Sequence, residues 1–417
     1  MPCGIYISVP FCKTKCSYCN FASDVFSRAV FERYVGRVCA DIENAPQTAV
    51  EMGGRMDRIV DSIYLGGGTP TLLDAAQLER IFATVRQQFE VSPEAEVTVE
   101  CAPGTLNDAT LDCLLRCGVN RVSLGVQSFV DQEAAAVGRL HKRMTVLDDI
   151  ARLRAAGISN INIDLIAGLP HQTAESWESS LAETISTGAP HVSVYMLEVD
   201  DESRLGRELV AGGTRYHAHF VPNEEVITDF YLAACERLQA AGIVQYEISN
   251  FAREGFESRH NLKYWTRQPY FGFGVDAHSM LATDWEGYDF SRADHERKRE
   301  LGFSRCFGQI EAVRFAQADS LERYVNGAEP HRTEVSPQAA FEESFFLGLR
   351  LASGLNLQEL SARFGEGAIK QTRAAITELV ESGLMEHRGD SIFLTARGRL
   401  LSNEVFERFI AADEVVR

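Results

Sequence analysis

Cys12, Cys16 and Cys19 lie within eight residues in the segment Pro10-Phe11-Cys12-Lys13-Thr14-Lys15-Cys16-Ser17-Tyr18-Cys19-Asn20-Phe21. Three thiolates on so short a loop can wrap three irons of a [4Fe–4S] cube, which ordinarily wants four. No fourth cysteine stands close by, so one iron would keep an open coordination position, as catalytic zinc sites do. Lys13 and Lys15 place positive charge beside the anionic group and favour thiolate formation. The same residues could instead hold zinc with a distant His or Cys, or stay as plain thiols.

The other cysteines (Cys3, Cys39, Cys101, Cys113, Cys117, Cys235 and Cys306) are scattered and read as small buried apolar residues. Cys113 and Cys117, four apart in a helical stretch, read as one packed helix face. A second chemical group is the run Leu65-Gly66-Gly67-Gly68-Thr69-Pro70-Thr71. Without Cβ atoms, its backbone N–H groups can come close to a ligand. Glu100, Gln127, Arg139 and Asp164 each stand at the end of a β-like run or in the loop after it. Carboxylates there suit ribose hydroxyls, and an arginine fork suits a ligand carboxylate. Any one alone would be an ordinary structural residue; four at successive strand ends form a pattern.

The elements that must hold these residues alternate. Strands are expected at 5–9, 62–65, 96–100, 121–125, 160–166 and 191–195, and helices at 30–42, 75–89, 109–116, 146–156 and 174–186. Such repeats imply parallel strands joined by right-handed crossovers. Six units make an α/β fold, a partial (β/α)6 TIM-like barrel with its chemistry at the C-terminal strand ends. A helix at 223–241 precedes 246–252, a Gly- and aromatic-rich stretch at 264–280, and a charged, solvated connection at 284–300. Later, helices at 357–364 and 368–382, a C-cap glycine at Gly383 and strands at 384–387 and 391–394 read as a small winged-helix-like C-terminal domain. The chain thus divides into a barrel over 1–250, an aromatic and glycine-rich extension over 251–335, and the winged-helix-like domain over 336–417.

Composition narrows the function classes. A formal net charge of −18 and no basic face across 371–382 argue against nucleic acid and for a structural or protein-contact role of the winged module. With 45% hydrophobic and 24% charged residues, the chain reads as a soluble globular protein. No apolar run approaches the ~18 residues of a membrane span. The strand-like opening at 4–7 has no basic and apolar leader, so a cytoplasmic location is expected.

Three cysteines at this spacing after a first barrel strand resemble the signature of radical S-adenosylmethionine (SAM) proteins. The resemblance implies that the open iron takes the amino and carboxylate groups of SAM. One electron from the cluster would then break a carbon–sulfur bond and leave a 5′-deoxyadenosyl radical. Within that group the chain resembles the oxygen-independent coproporphyrinogen oxidase family, around Tyr6, 10–21, 66–70, Glu100, 125–129, Arg139 and 164–170. The likeness is strong over the first 280 or so residues and looser beyond. It implies Cys12, Cys16 and Cys19 as cluster ligands, and Tyr6, Tyr18, Gly67, Gly68, Thr69, Glu100, Gln127, Arg139 and Asp164 as cofactor contacts.

That family divides into coproporphyrinogen III dehydrogenases and haem chaperones of the HemW type. The dehydrogenases carry a further cysteine where this chain has Phe21, and an N-terminal extension not found here. Tyr246–Ala252 and Arg259–Trp265 resemble the chaperone branch's signatures, the second of them tied to haem. His260 and Tyr264, four apart, are both of types that can be axial ligands to haem iron, and Trp265 could lie on a porphyrin face. His278 is a second histidine candidate. Ser8, Val275 and Asp276 depart from the family pattern. The resemblance implies a cytoplasmic haem chaperone carrying a [4Fe–4S] cluster and SAM, with haem as cargo. Its partners would be acceptor haemoproteins, respiratory ones foremost, and an electron donor; any peripheral membrane contact would come through those partners. The alternative is an oxygen-independent coproporphyrinogen III dehydrogenase, which turns two propionates into vinyl groups. Whether the chain is an enzyme stays open at this point.

Overall fold

The computed structural model describes residues 1–201, 203–283 and 310–410; the charged stretch 284–300 and Cys306 lie outside the described residues. Six strands follow the expected order: β1 (Cys3–Val9), β2 (Ile59–Gly67), β3 (Glu90–Cys101), β4 (Arg121–Gln127), β5 (Asn160–Ala167) and β6 (His191–Met196). Neighbours pair in parallel from β1 to β6. Helices such as Phe31–Glu43, Ala75–Gln88, Asp108–Arg116, Arg143–Ala155 and Ala174–Ser186 cross between them. The fold is therefore the expected partial α/β barrel.

Period-two alternation explains how the barrel is lined. Ile63 and Leu65, Val97 and Val99, Val122 and Leu124, Ile161 and Ile163, and Val192 and Val194 are buried in the main apolar core. Their alternates, among them Tyr64, Glu100, Arg121, Ser123, Asn162, Asp164, Ser193 and Tyr195, line a cavity. An ordinary barrel fills its centre with branched apolar side chains; here the centre is polar and open.

The sheet extends past both ends of the six-stranded set, to twelve strands among the described residues. Beyond β6 lie β8 (Asn250–Ala252) and β7 (Val244–Glu247), both antiparallel. Beyond β1 lie β9 (Tyr270–Gly274), parallel to it, then β10 (His278–Ala282), β11 (Ala312–Ala316) and β12 (His331–Val335) as an antiparallel meander. The segment after residue 251 thus supplies sheet as well as connection.

The C-terminal part carries helices Pro337–Gly348, Leu357–Phe364 and Glu366–Glu381, and a three-stranded sheet of β13 (Leu355–Asn356), β14 (Met385–Arg388) and β15 (Ser391–Leu394). Its apolar core, with Phe341, Phe345, Leu360 and Ile376, runs on to Ile248, Met280, Ala312 and Val335 of the large sheet's flank. A buried ion network pins the junction. Arg267 reaches Glu311 at 2.8 Å and Glu343 at 2.9 Å, Arg314 reaches Glu343 at 2.6 Å, and Arg363 also pairs with Glu311. Removing Arg267 leaves Glu311 with Arg363 alone and Glu343 with Arg314 alone, two buried charges each short of a partner. Cys113 and Cys117 are buried side by side, 4.0 Å between sulfurs, as a packed helix face.

Candidate active site

The loop after β1 is anchored from below by aromatic packing. Phe11 stacks on Phe31 with centroids 3.7 Å apart and meets Tyr34 edge-on, and the Tyr34 hydroxyl donates to the Ser8 carbonyl at 2.6 Å. The glycine run stitches onto the same backbone: Gly68 N–H donates to Val9 O at 2.8 Å and Thr69 N–H to Phe11 O at 2.7 Å. A Cβ at Gly68 would stand 2.7 Å from Phe11 O and 2.8 Å from Val9 O, so the approach requires glycine. Across the mouth, Thr14 Oγ1 donates to Gly138 O at 3.0 Å and Ser17 N–H to Val137 O at 3.2 Å. Lys15 Nζ ties the loop to itself through Phe21 O and Ser23 O, at 3.1 and 2.7 Å.

Cys12, Cys16 and Cys19 therefore stand at the rim of one cavity of about 1080 Å³. Burial pushes the Cys12 and Cys19 thiols above their ordinary value; Lys15 opposes this at Cys19. Arg139 Nη1 lies 3.6 Å from Cys16 Sγ, while its Nη2 donates to Gly125 O. A Cβ at Gly125 would sit 2.6 Å from that guanidinium, so a side chain there would push Arg139 out of this position. Arg139 Nε is buried without a hydrogen-bond partner among the described residues. Among the described residues no group of three or more His, Cys, Asp or Glu converges on one ion position. A cube asks less than that, one thiolate per iron, and three thiols on one loop with the Arg139 guanidinium beside Cys16 suit it.

The carboxylates stand further inside. Glu100 accepts from the Tyr64 hydroxyl at 2.9 Å and from Gly67 N–H at 3.0 Å. Burial first, and the Asp164 carboxylate second, push its pKa up to about 7. Asp164 accepts from Asn162 at 2.7 Å and from Ser123 at 3.2 Å; burial raises it and these donors pull it back. Gln127 ends β4 with φ 69°, a left-handed conformation rare for a residue with a Cβ. Arg121, 2% exposed, lies 4.0 Å from Glu96 and is the cation among these carboxylates; its Nε has no hydrogen-bond partner.

The structure gathers Cys12, Cys16, Cys19, Tyr18, Gly67, Gly68, Thr69, Glu100, Gln127, Arg139 and Asp164 around that single cavity. Tyr6 and Tyr264 line a separate space of about 290 Å³ with His278, Tyr270 and Asp276, on the other side of Gly67 and Gly68. His260 lines neither. It is 1% exposed, with Nδ1 3.0 Å from Ser62 Oγ and Nε2 2.9 Å from the Tyr264 hydroxyl. Both ring nitrogens are thus engaged, and the arrangement leaves no lone pair for an iron. Burial, with Lys263 and Arg121 nearby, pushes its pKa down to about 3. Trp265 likewise carries the Arg350 guanidinium over its ring at 4.3 Å. The helix Arg259–Trp265 instead plugs the barrel end opposite the cysteines. Its first N–H groups, at Arg259 and His260, point at the Glu96 carboxylate at 3.2 and 3.3 Å. Lys263 pairs with Asp61 at 2.7 Å. Tyr246 of the other signature bonds His191 Nε2 at 3.0 Å inside the barrel.

Sequence reasoning passed over Arg121, Ser123, Asn162, Ser193 and Tyr195, and Arg350 and Arg399 of the C-terminal half, which also line the cavity. For the strand residues a signal was present: polar residues alternate with apolar ones, as in Glu96–Cys101 and His191–Met196. The two arginines stand far along the chain and had none.

Comparison with known proteins agrees with this geometry. The family model for the radical SAM superfamily matches residues 6–184, and that for the HemN C-terminal domain matches 335–401. The chain is 32% identical to the heme chaperone HemW of Bacillus subtilis over 412 residues, covering 97% of this chain and 98% of that protein. It is 29% identical to HemW of Escherichia coli, covering 98% of each. Among solved structures, coproporphyrinogen III oxidase (HemN) of Escherichia coli superposes with a TM-score of 0.78 over 98% of this chain and 90% of that one, at 21% identity, a likeness of fold.

Proposed function

The chain belongs to the radical SAM superfamily, and within it to the family of the HemW haem chaperones, and we propose that it works as one of them. In this reading Cys12, Cys16 and Cys19 hold a [4Fe–4S] cluster and SAM completes the fourth iron. When bound, the pair supplies one-electron chemistry at the cavity rim. The chain's own residues orient the cofactor: Arg139 meets its carboxylate, Gly67, Gly68 and Thr69 face its amino end, Glu100 and Asp164 receive ribose hydroxyls, and Gln127 and Tyr18 close around it. Tyr6 supports this floor through its ring contact with Tyr64, 6.1 Å between centroids.

Haem is the cargo, passed on to acceptor haemoproteins, with an electron donor reducing the cluster. The location proposed is the cytoplasm; no helix among the described residues is long and apolar enough to cross a membrane. The observation that carries the reading is near-full-length similarity to heme chaperones, together with a cavity larger than one small cofactor needs. Pockets for drug-sized ligands run to roughly 300–1,000 Å³, and this one measures about 1080 Å³. His260 and Tyr264 enter as supports of the barrel floor, and an axial role for His260 would require its bond to Tyr264 to exchange.

The second reading, coproporphyrinogen III dehydrogenase, draws on the fold it shares with HemN. Against it, Phe21, 64% exposed, stands where the resemblance places a cysteine in the dehydrogenases. The test is anaerobic reconstitution with iron and sulfide, followed by haem titration and a coproporphyrinogen assay with SAM under reducing conditions. About one haem per chain and no decarboxylated product are expected. Product formation, or no haem binding, would overturn the proposal.

A further inference from the structure

The cavity is electrically uneven along its length. Its cysteine end has Lys13, Lys15 and Arg139, all close to the thiols. Further in stand the buried carboxylates Glu100 and Asp164 with Arg121 beside them, and Glu198 and Asp200 also line the cavity. Where the wall passes to the C-terminal half, the charged lining residues are Arg350 and Arg399, accompanied by the neutral polar side chains of Ser249, Asn261, Ser402 and Asn403. Two guanidiniums of the C-terminal half thus line the same cavity in a chain of net charge −18.

Both guanidiniums keep donors to spare. Arg350 pairs through Nη2 with the fully buried Glu247 at 3.4 Å and lies over the Trp265 ring at 4.3 Å, but its Nε has no hydrogen-bond partner among the described residues. Arg399 donates Nη1 to Leu394 O at 3.0 Å, which leaves its other donors for a ligand. Tyr231, Ile248 and Leu400 add apolar surface to the lining of the same cavity. The Tyr231 hydroxyl donates to Ile248 O at 2.5 Å and so ties two of them together. Apolar lining with two cations suits a large flat apolar molecule with anionic substituents at its edge.

We propose that Arg350 and Arg399 form a carboxylate-receiving wall, and that its occupant is haem, held by its two propionates. This rests on the haem-handling reading above and adds where, and by which residues, the cargo is gripped. It also separates the two anionic ligands of one cavity: the SAM carboxylate at Arg139, the cargo at the C-terminal wall.

The test is haem titration of the anaerobically reconstituted protein against haem dimethyl ester, which lacks both charges. The variants are Arg399→Gln and Arg350→Lys; the second keeps positive charge beside Glu247 but loses the fork. The expected result is ester binding roughly tenfold or more weaker than haem. Arg399→Gln should weaken haem by a similar factor, leave ester binding unchanged, and keep wild-type SAM affinity, which shows the fold intact. Equal binding of haem and ester by the wild type, or wild-type haem affinity in both variants, would overturn the wall. Failure of the wild type to bind haem at all would instead sink the reading on which the wall rests.

Discussion

Glu100 should make SAM binding depend on pH in a way that one substitution removes. Its carboxyl sits at about 7, raised by burial and by Asp164. It receives ribose hydroxyls most strongly as an ionised acceptor, and protonation removes the charge that strengthens those bonds. A carboxylate whose pKa is raised gains its charge as pH rises, so binding should strengthen from about pH 6 to about pH 8. With a value near 7, about nine-tenths of Glu100 is protonated at pH 6 and about one-tenth at pH 8, which gives roughly tenfold, or ~1.4 kcal/mol, across the window. The amino group that meets iron must also lose a proton, and that adds a slope of its own. The readout is therefore the difference between wild type and Glu100→Gln, in SAM affinities measured by calorimetry on the reconstituted protein. The variant should bind more weakly at pH 8 and have the shallower profile. Profiles differing by less than about twofold in slope would refute the assignment of Glu100 to the ribose.

Three further outcomes follow from the geometry. Arg267→Met strips a partner from Glu311 and Glu343, 7% and 8% exposed, and should cost about 3 kcal/mol in urea unfolding; Arg267→Met with Glu343→Gln should recover part of it. His260 holds its proton more weakly folded than unfolded, so its contribution is complete above about pH 6.5 and is lost as pH falls toward 3. Between about pH 6.5 and pH 5 wild type should lose about 2 kcal/mol more than His260→Gln in denaturant titrations, and equal losses would show His260 to be titrating freely. Gly68→Ala pushes a Cβ onto Phe11 O and Val9 O, and should lower iron incorporation while far-ultraviolet circular dichroism stays native.

Much of this was legible from spacing. The cysteine loop, the glycine run and the six strand ends are local patterns, and the strand-helix rhythm fixes where their C-terminal ends must gather. Gln127, Arg139 and Asp164 could be placed at one mouth for that reason alone. The His260 motif was less transparent. Its residue types suit haem iron, yet the ring's environment depends on Ser62 and on the packing of a helix against the barrel end, and neither is local in sequence. Arg350 and Arg399 show the same limit from the other side: ordinary arginines in the chain, they become cavity wall only when the C-terminal domain docks. The polar lumen was written in period two, and alternation at Arg121, Ser123 and Gly125 or at Asn162 and Asp164 announces an open centre once the apolar alternates are assigned to the helix layer.

Three cysteine ligands and one iron left for SAM should show in iron and sulfide analysis and in the electron paramagnetic resonance of the reduced, anaerobically reconstituted protein. About four irons and four sulfides per chain are expected, with a reduced-cluster signal that changes when SAM is added and loss of the cluster in Cys12→Ala, Cys16→Ala and Cys19→Ala. A cluster that forms with all three cysteines replaced, or a signal indifferent to SAM, would contradict that arrangement.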